Sequence, residues 1–60
     1  MEEMHAKLEG CMQEEMEGYQ MYDEMASFYE EHGCHDKAVI LHAIAADELS
    51  HHEWLGKILE

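Results

Sequence analysis

Three residues of this chain, Glu15, Glu48 and His51, have the side chains and the spacing of a metal-binding site. Carboxylate oxygens and imidazole nitrogens are donors that iron, manganese and zinc accept in proteins. Glu48 and His51 are three residues apart, which places them on one face of a helix. Glu15 lies in the first half of the chain, about as far from its centre as Glu48 and His51 lie in the second half. The sequence therefore predicts that these three residues form a metal site.

The elements that must position these residues are helices. The chain contains no proline, and its abundant Glu, Met, Ala and Leu favour helix. The one expected break is at Gly33, which can end a helix in the left-handed conformation, and Asp36 is the expected N-cap of the next helix. We expect one all-α domain, residues 1–60, folded as an antiparallel αα-hairpin. Its parts are a first helix over about 2–31, a turn over 32–35 and a second helix over about 36–59.

Each predicted helix carries an apolar stripe at 3.5-residue spacing, which is typical of helical bundles. A single hairpin leaves both stripes open to water on one side. We therefore expect two hairpins to pair as a homodimeric four-helix bundle, or as a higher homo-oligomer. The stripes comprise Met4, Leu8, Cys11, Glu15, Gly18, Tyr22, Met25 and Tyr29 in the first helix, and Leu41, Ile44, Glu48, His51, Leu55 and Ile58 in the second.

The predicted metal ligands interrupt these stripes near their middle, where a charge needs a partner. A buried carboxylate with no partner costs several kcal/mol. Two hairpins would bring the Glu15 and Glu48 carboxylates of both copies together, and two divalent cations would balance their charge. The alternative is that Glu48 and His51 form a solvent-exposed pair, because Glu-x-x-His arises often by chance in a chain with 15 acidic residues and six histidines.

From Glu15 to near its end, the chain resembles the ferritin-like domain of rubrerythrins. The lone Glu15, followed by Glu48-Leu49-Ser50-His51, matches the carboxylate and Glu-x-x-His pattern of di-iron and di-manganese bundles. The resemblance implies that Glu48 bridges two iron ions per dimer, and that Glu15 and His51 are terminal ligands. Manganese or zinc suits the same donors. The other residues that fit the pattern are Tyr22, Ala26, Ser27, Gly33, Ala38, Ala45 and Leu55.

The chain departs from rubrerythrins in two ways. It has two predicted helices where a rubrerythrin domain has four, and it lacks the paired Cys-x-x-Cys motifs of the rubredoxin-like module. Its half-bundle length is similar to that of the encapsulated ferritins, whose hairpins assemble a ferroxidase site between subunits. The resemblance implies a di-iron oxidoreductase of the ferroxidase or peroxidase type, with Fe(II) and oxygen or peroxide as its partners.

Two other functions are compatible with the sequence. A non-catalytic interaction or scaffold hairpin, with at most a structural metal, would have the same helices and the same apolar stripes. It predicts that loss of Glu15 or Glu48 leaves the stability of the dimer unchanged. A mononuclear or dizinc hydrolytic site ranks last, because no general base is evident beyond the ligands themselves.

Three further residues lie close to the predicted ligands. Tyr22 is the candidate catalytic side chain, because a phenol two turns after Glu15 could hydrogen-bond a ligand or quench an oxidising species; the alternative is that it fills the core. His52 is expected at the rim of the site, since the stripe favours its neighbour His51 as the ligand. Cys11, one turn before Glu15, is expected to be a core thiol.

The charge of the chain limits its partners. Fifteen acidic residues against three basic ones give a formal net charge of −12. This argues against binding to nucleic acids and to anionic membrane surfaces, and it suits a protein that attracts cations. No apolar run is long enough to span a membrane. The first residues are acidic where a secretion signal would be basic, so we expect a cytoplasmic protein.

Overall fold

The computed structural model describes residues 1–60 as two helices that lie antiparallel, with no strand. Helix α1 spans Glu2–Glu31 and helix α2 spans His35–Leu59. The molecule measures 48 × 14 × 10 Å. Its smallest dimension is therefore about the diameter of one helix. The predicted all-α hairpin is confirmed, and the helix bounds agree with the expected ones to within one residue.

Gly33 makes the reversal between the helices. Its φ of +75° is the only positive φ in the chain, and glycine adopts that conformation without strain. The backbone N–H groups of Gly33 and Cys34 donate to the carbonyls of Glu30 and Tyr29, at 3.1 and 2.8 Å, and so close the end of α1. The expected N-cap at Asp36 is wrong: the reversal leads directly into α2, so Cys34 is the N-cap and Asp36 lies in the first turn.

The contact between the helices is centred on three alanines. Ala26 of α1 and Ala38 and Ala45 of α2 are the only buried residues. Their small side chains let the two backbones approach closely, while larger apolar side chains are half-buried along the edges of the contact. These edge residues include Leu8, Met12, Met25, Leu41, Ile44 and Leu55. Such a core is small even for a 60-residue chain, and folds of this size usually need a metal or a partner subunit.

Several large apolar side chains face solvent in the hairpin. Trp54 is 60% exposed and Ile58 is 64% exposed, and Ile58 belongs to the predicted stripe of α2. Cys11 is also exposed, so the expected core thiol is wrong for the hairpin, whose centre is occupied by alanines instead. Neither helix contains a stretch with the length and hydropathy needed to cross a bilayer.

Candidate metal centre

The three predicted ligands converge about midway along the hairpin. α1 supplies Glu15, and α2 supplies Glu48 and His51, which lie one turn apart on the same face. One ligand atom from each of the three residues lies within 4.8 Å of the other two. Donor atoms this close together can contact a single ion. The structure therefore brings together the three residues that the sequence singled out.

Glu15 is more enclosed than His51. Its side chain is 26% exposed, against 45% for His51, and its Oε2 atom lies 3.4 Å from Nδ1 of His51. This Oε2 atom is buried and has no hydrogen-bond partner. Buried carboxylate oxygens are almost always paired, because an unpaired one loses the hydration it had in water. A cation between Glu15 and His51 would supply the missing partner.

The carboxyl group of Glu48 is affected by its neighbours. In its protonated form Glu48 can donate a hydrogen bond to Glu15, which raises the pKa of Glu48 above its ordinary value, and partial desolvation and the negative charge of Glu15 act in the same direction. The positive charge of His51 opposes this rise. Without a cation, the carboxyl group of Glu48 therefore releases its proton less readily than an isolated glutamic acid does.

The raised pKa of Glu48 predicts how the free energy of unfolding of the metal-free protein depends on pH. Folded Glu48 binds its proton more tightly than unfolded Glu48, whose ordinary value is 4.5. As the pH rises from about 4.5 through the higher pKa of folded Glu48, Glu48 loses its proton first in the unfolded chain, which shifts the equilibrium toward unfolding. The free energy of unfolding therefore falls across this range and levels off above it. We expect this fall in urea denaturation of the metal-free protein between pH 4 and 8.

The Glu48→Gln variant isolates this contribution from that of the other acidic residues. The variant keeps every other carboxyl group, so the difference in unfolding free energy between the two proteins reports Glu48 alone. We expect the wild-type protein to lose stability relative to the variant as the pH rises. A difference that does not change with pH would contradict the raised pKa of Glu48.

The neighbouring aromatic and imidazole side chains do not join the cluster. Nδ1 of His52 donates to the backbone carbonyl of Met12 at 3.0 Å, so this ring links α2 to the backbone of α1. The ring of Trp54 lies 5.6 Å from that of His51. Tyr22 is half-buried and makes no hydrogen bond. In the hairpin, the phenol therefore does not hydrogen-bond the ligands.

The structure also contains an interhelical cluster that sequence reasoning missed. His42 of α2 lies between two carboxylates of α1, with Nδ1 3.8 Å from Asp23 and Nε2 3.4 Å from Glu30. The helix register could have predicted part of this cluster, because an antiparallel pair of helices that aligns Glu15 with His51 also brings Asp23 opposite His42. The carboxylates lie on opposite sides of the ring, so this cluster does not converge on one point.

The donor side chains of this chain define the candidate metal site. Two carboxylates and one imidazole, contributed by two helices, form the only group of metal-ligand side chains that converges in the hairpin. Such a donor set is typical of divalent transition-metal sites. Comparison of the chain with protein-family models, with curated proteins and with solved structures finds no match.

Proposed function

We propose that the chain forms a homodimeric, ferritin-like four-helix bundle that binds two iron ions between its hairpins. In this proposal the protein resembles rubrerythrins in its chemistry and oxidises Fe(II) or reduces oxygen or peroxide. One observation carries the proposal: Glu15, Glu48 and His51 converge, and Oε2 of Glu15 is buried without a hydrogen-bond partner. A divalent cation would supply that partner.

The donor set fits one divalent ion per chain. Glu15 and Glu48 carry two negative charges when both are ionised, and one divalent ion balances them. In the proposed site Glu15, Glu48 and His51 of each chain would hold the two ions between the hairpins, as in the ferritin-like pattern of a lone Glu and a Glu-x-x-His. Oxygen and imidazole donors suit Fe(II), and they also accept manganese and zinc.

A second hairpin is needed to complete such a site. Transition-metal ions take about four or more donor atoms, and one chain supplies three side chains. The His51 side chain is 45% exposed, and Ile58, farther along the same stripe, is 64% exposed. A second copy that packs on this stripe would add donor atoms and would cover the apolar residues around them.

The side chains of the protein have distinct roles in the proposed chemistry. Iron, when bound, supplies the exchange of one electron per ion. Glu15 and Glu48 would hold the ion and would offset its positive charge. The net charge of −12 attracts Fe(II) to the protein surface. Tyr22, on the same stripe, would supply a hydrogen bond or quench an oxidising species once the bundle forms.

A scaffold function is the second candidate, and the composition of the core favours it. Three alanines are the only buried residues, and large side chains such as Trp54 and Ile58 are exposed. These features alone would drive association between hairpins, with or without an ion. The two functions differ in what they require of Glu15, Glu48 and His51, which a scaffold does not need.

Iron content after anaerobic loading tests the proposed function. We expect about one iron per chain after incubation with Fe(II) and desalting, since the proposed site holds one ion for each Glu15, Glu48 and His51 set. Fluorescence of Trp54, the single tryptophan, should be quenched in parallel, because its ring lies 5.6 Å from His51.

Other iron contents would contradict this proposal. A value near half an iron per chain would mean one ion shared at the dimer interface, which would rule out a di-iron mechanism. A value near zero would favour the scaffold function. The rate of Fe(II) oxidation after exposure of the loaded protein to oxygen then separates catalysis from a structural role, because only a catalytic site would oxidise Fe(II) faster than protein-free buffer does.

A further inference from the structure

Gly18 leaves the space that the end of the Glu48 side chain occupies. A Cβ atom added at Gly18 would lie 2.5 Å from Oε2, 3.4 Å from Cδ and 3.7 Å from Cγ of Glu48. The first distance is far below the separation at which two non-bonded heavy atoms attract each other. The carboxyl group of Glu48 therefore lies against bare backbone of α1, one turn from Glu15.

The helix itself does not need a glycine at this position. Glycine is the least favourable residue in a helix interior apart from proline, because it loses the most backbone freedom on folding. Gly18 has an ordinary helical φ, unlike Gly33. Gly10, in the same helix, has no atom within 4 Å of an added Cβ. The close approach of Glu48 is thus particular to Gly18, and Gly10 offers a matched control.

We propose that Gly18 is a positioning residue, which admits the carboxyl group of Glu48 against α1 and so holds it beside Glu15. A methyl group at position 18 would rotate the end of Glu48 outward and separate the two carboxyl groups. The displaced atoms belong to a flexible side chain, so α1 and the hairpin would persist. The ligand set would not remain together.

This inference has one part that needs no metal and one part that rests on the proposed function. The steric relation between Gly18 and Glu48 exists in the metal-free protein and is measurable there. Its consequence for metal affinity requires that Glu15, Glu48 and His51 bind an ion. The experiment therefore has two arms, which can fail separately.

The first arm is a double-mutant cycle on the metal-free protein at fixed concentration, by urea unfolding. Gly10→Ala should lower the unfolding equilibrium constant about fivefold, as expected for Gly to Ala in a helix. In the Glu48→Ala background, Gly18→Ala should lower the unfolding equilibrium constant by a similar factor. In the wild-type background, Gly18→Ala should lower this constant less, or should raise it. An equal effect of Gly18→Ala in both backgrounds would overturn the inference.

The second arm is a titration with Co(II), whose visible absorption reports its coordination. Gly18→Ala should weaken Co(II) binding about tenfold or more, the size of effect typical of residues that orient metal ligands. The same variant should keep its helix content, and Gly10→Ala should bind Co(II) like the wild-type protein. Unchanged Co(II) affinity in Gly18→Ala would contradict a positioning role.

The two arms separate this inference from the proposed function. If the wild-type protein binds no Co(II) and no Fe(II), the proposed function fails, and the unfolding cycle alone decides whether Gly18 accommodates Glu48. If the wild-type protein binds Co(II) and Gly18→Ala binds it equally well, the proposed function stands and the role of Gly18 is refuted.

Discussion

Glu48→Gln should lower the iron content after anaerobic loading from about one ion per chain to near zero. The substitution removes the negative charge of the ligand that is shared between the two ions in the proposed site. At pH 7 the metal-free variant should be more stable than the wild-type protein. Its amide can donate a hydrogen bond to Glu15, whereas ionised Glu48 repels Glu15. Iron analysis and urea denaturation of the same preparations measure both effects.

Glu53→Gln is the matched control for this prediction. Glu53 lies in α2, close to Glu48, and is exposed, so the substitution makes the same charge change outside the site. It should leave the iron content at about one ion per chain and the metal-free stability nearly unchanged. Retention of iron by Glu48→Gln would exclude Glu48 as a ligand. A less stable metal-free variant would show that Glu15 and Glu48 do not repel each other.

Ile58→Lys should dissociate the proposed dimer. Ile58 is 64% exposed in the hairpin, so the substitution costs an isolated hairpin little. If the stripe is buried between hairpins, the loss of each buried isoleucine costs about 1.5–3 kcal/mol, and each dimer contains two. The dissociation constant should therefore rise about 100-fold to 10,000-fold, as measured by sedimentation equilibrium. Iron binding should weaken with it, because the site needs both hairpins.

Val39→Lys is the control for Ile58→Lys, because it adds the same charge at a residue of similar exposure. Val39 is 67% exposed and lies in α2, but it is not one of the stripe residues. Both substitutions add one positive charge to a chain of net charge −12, so each reduces the repulsion between copies. We expect Val39→Lys to remain dimeric. Equal dissociation of the two variants, or no dissociation by Ile58→Lys, would argue against the α2 stripe as the interface.

The helices and the turn were predictable because local effects determine them. The absence of proline and the high content of helix formers favour two long helices, and Gly33 supplies the positive φ of the reversal. The position of Asp36 was misjudged, because an N-cap depends on where the turn ends and not only on which residue is a good cap. Cys34 is the N-cap, since the turn is one residue shorter than expected.

The candidate site was predictable for a different reason. Glu15, Glu48 and His51 interrupt the stripes at matching distances from the turn, so an antiparallel hairpin brings them together. The contact between Gly18 and Glu48 was not predictable, because a glycine one turn from Glu15 leaves a gap whose occupant the spacing does not identify. The occupant depends on the side-chain rotamer of Glu48, which is set by the distance between the two backbones. The small side chains of the buried alanines permit a short distance, and the spacing of the stripes does not predict its value.

The three-alanine core has a consequence for how this protein would respond to its own concentration. Ala26, Ala38 and Ala45 bury little surface within one chain, so in the proposed dimer most of the apolar area available to stabilise the fold would lie between copies. Folding, assembly and ion uptake would then form one linked equilibrium. At high abundance the chains would be structured and loaded, and on dilution they would separate, unfold and release their ions together.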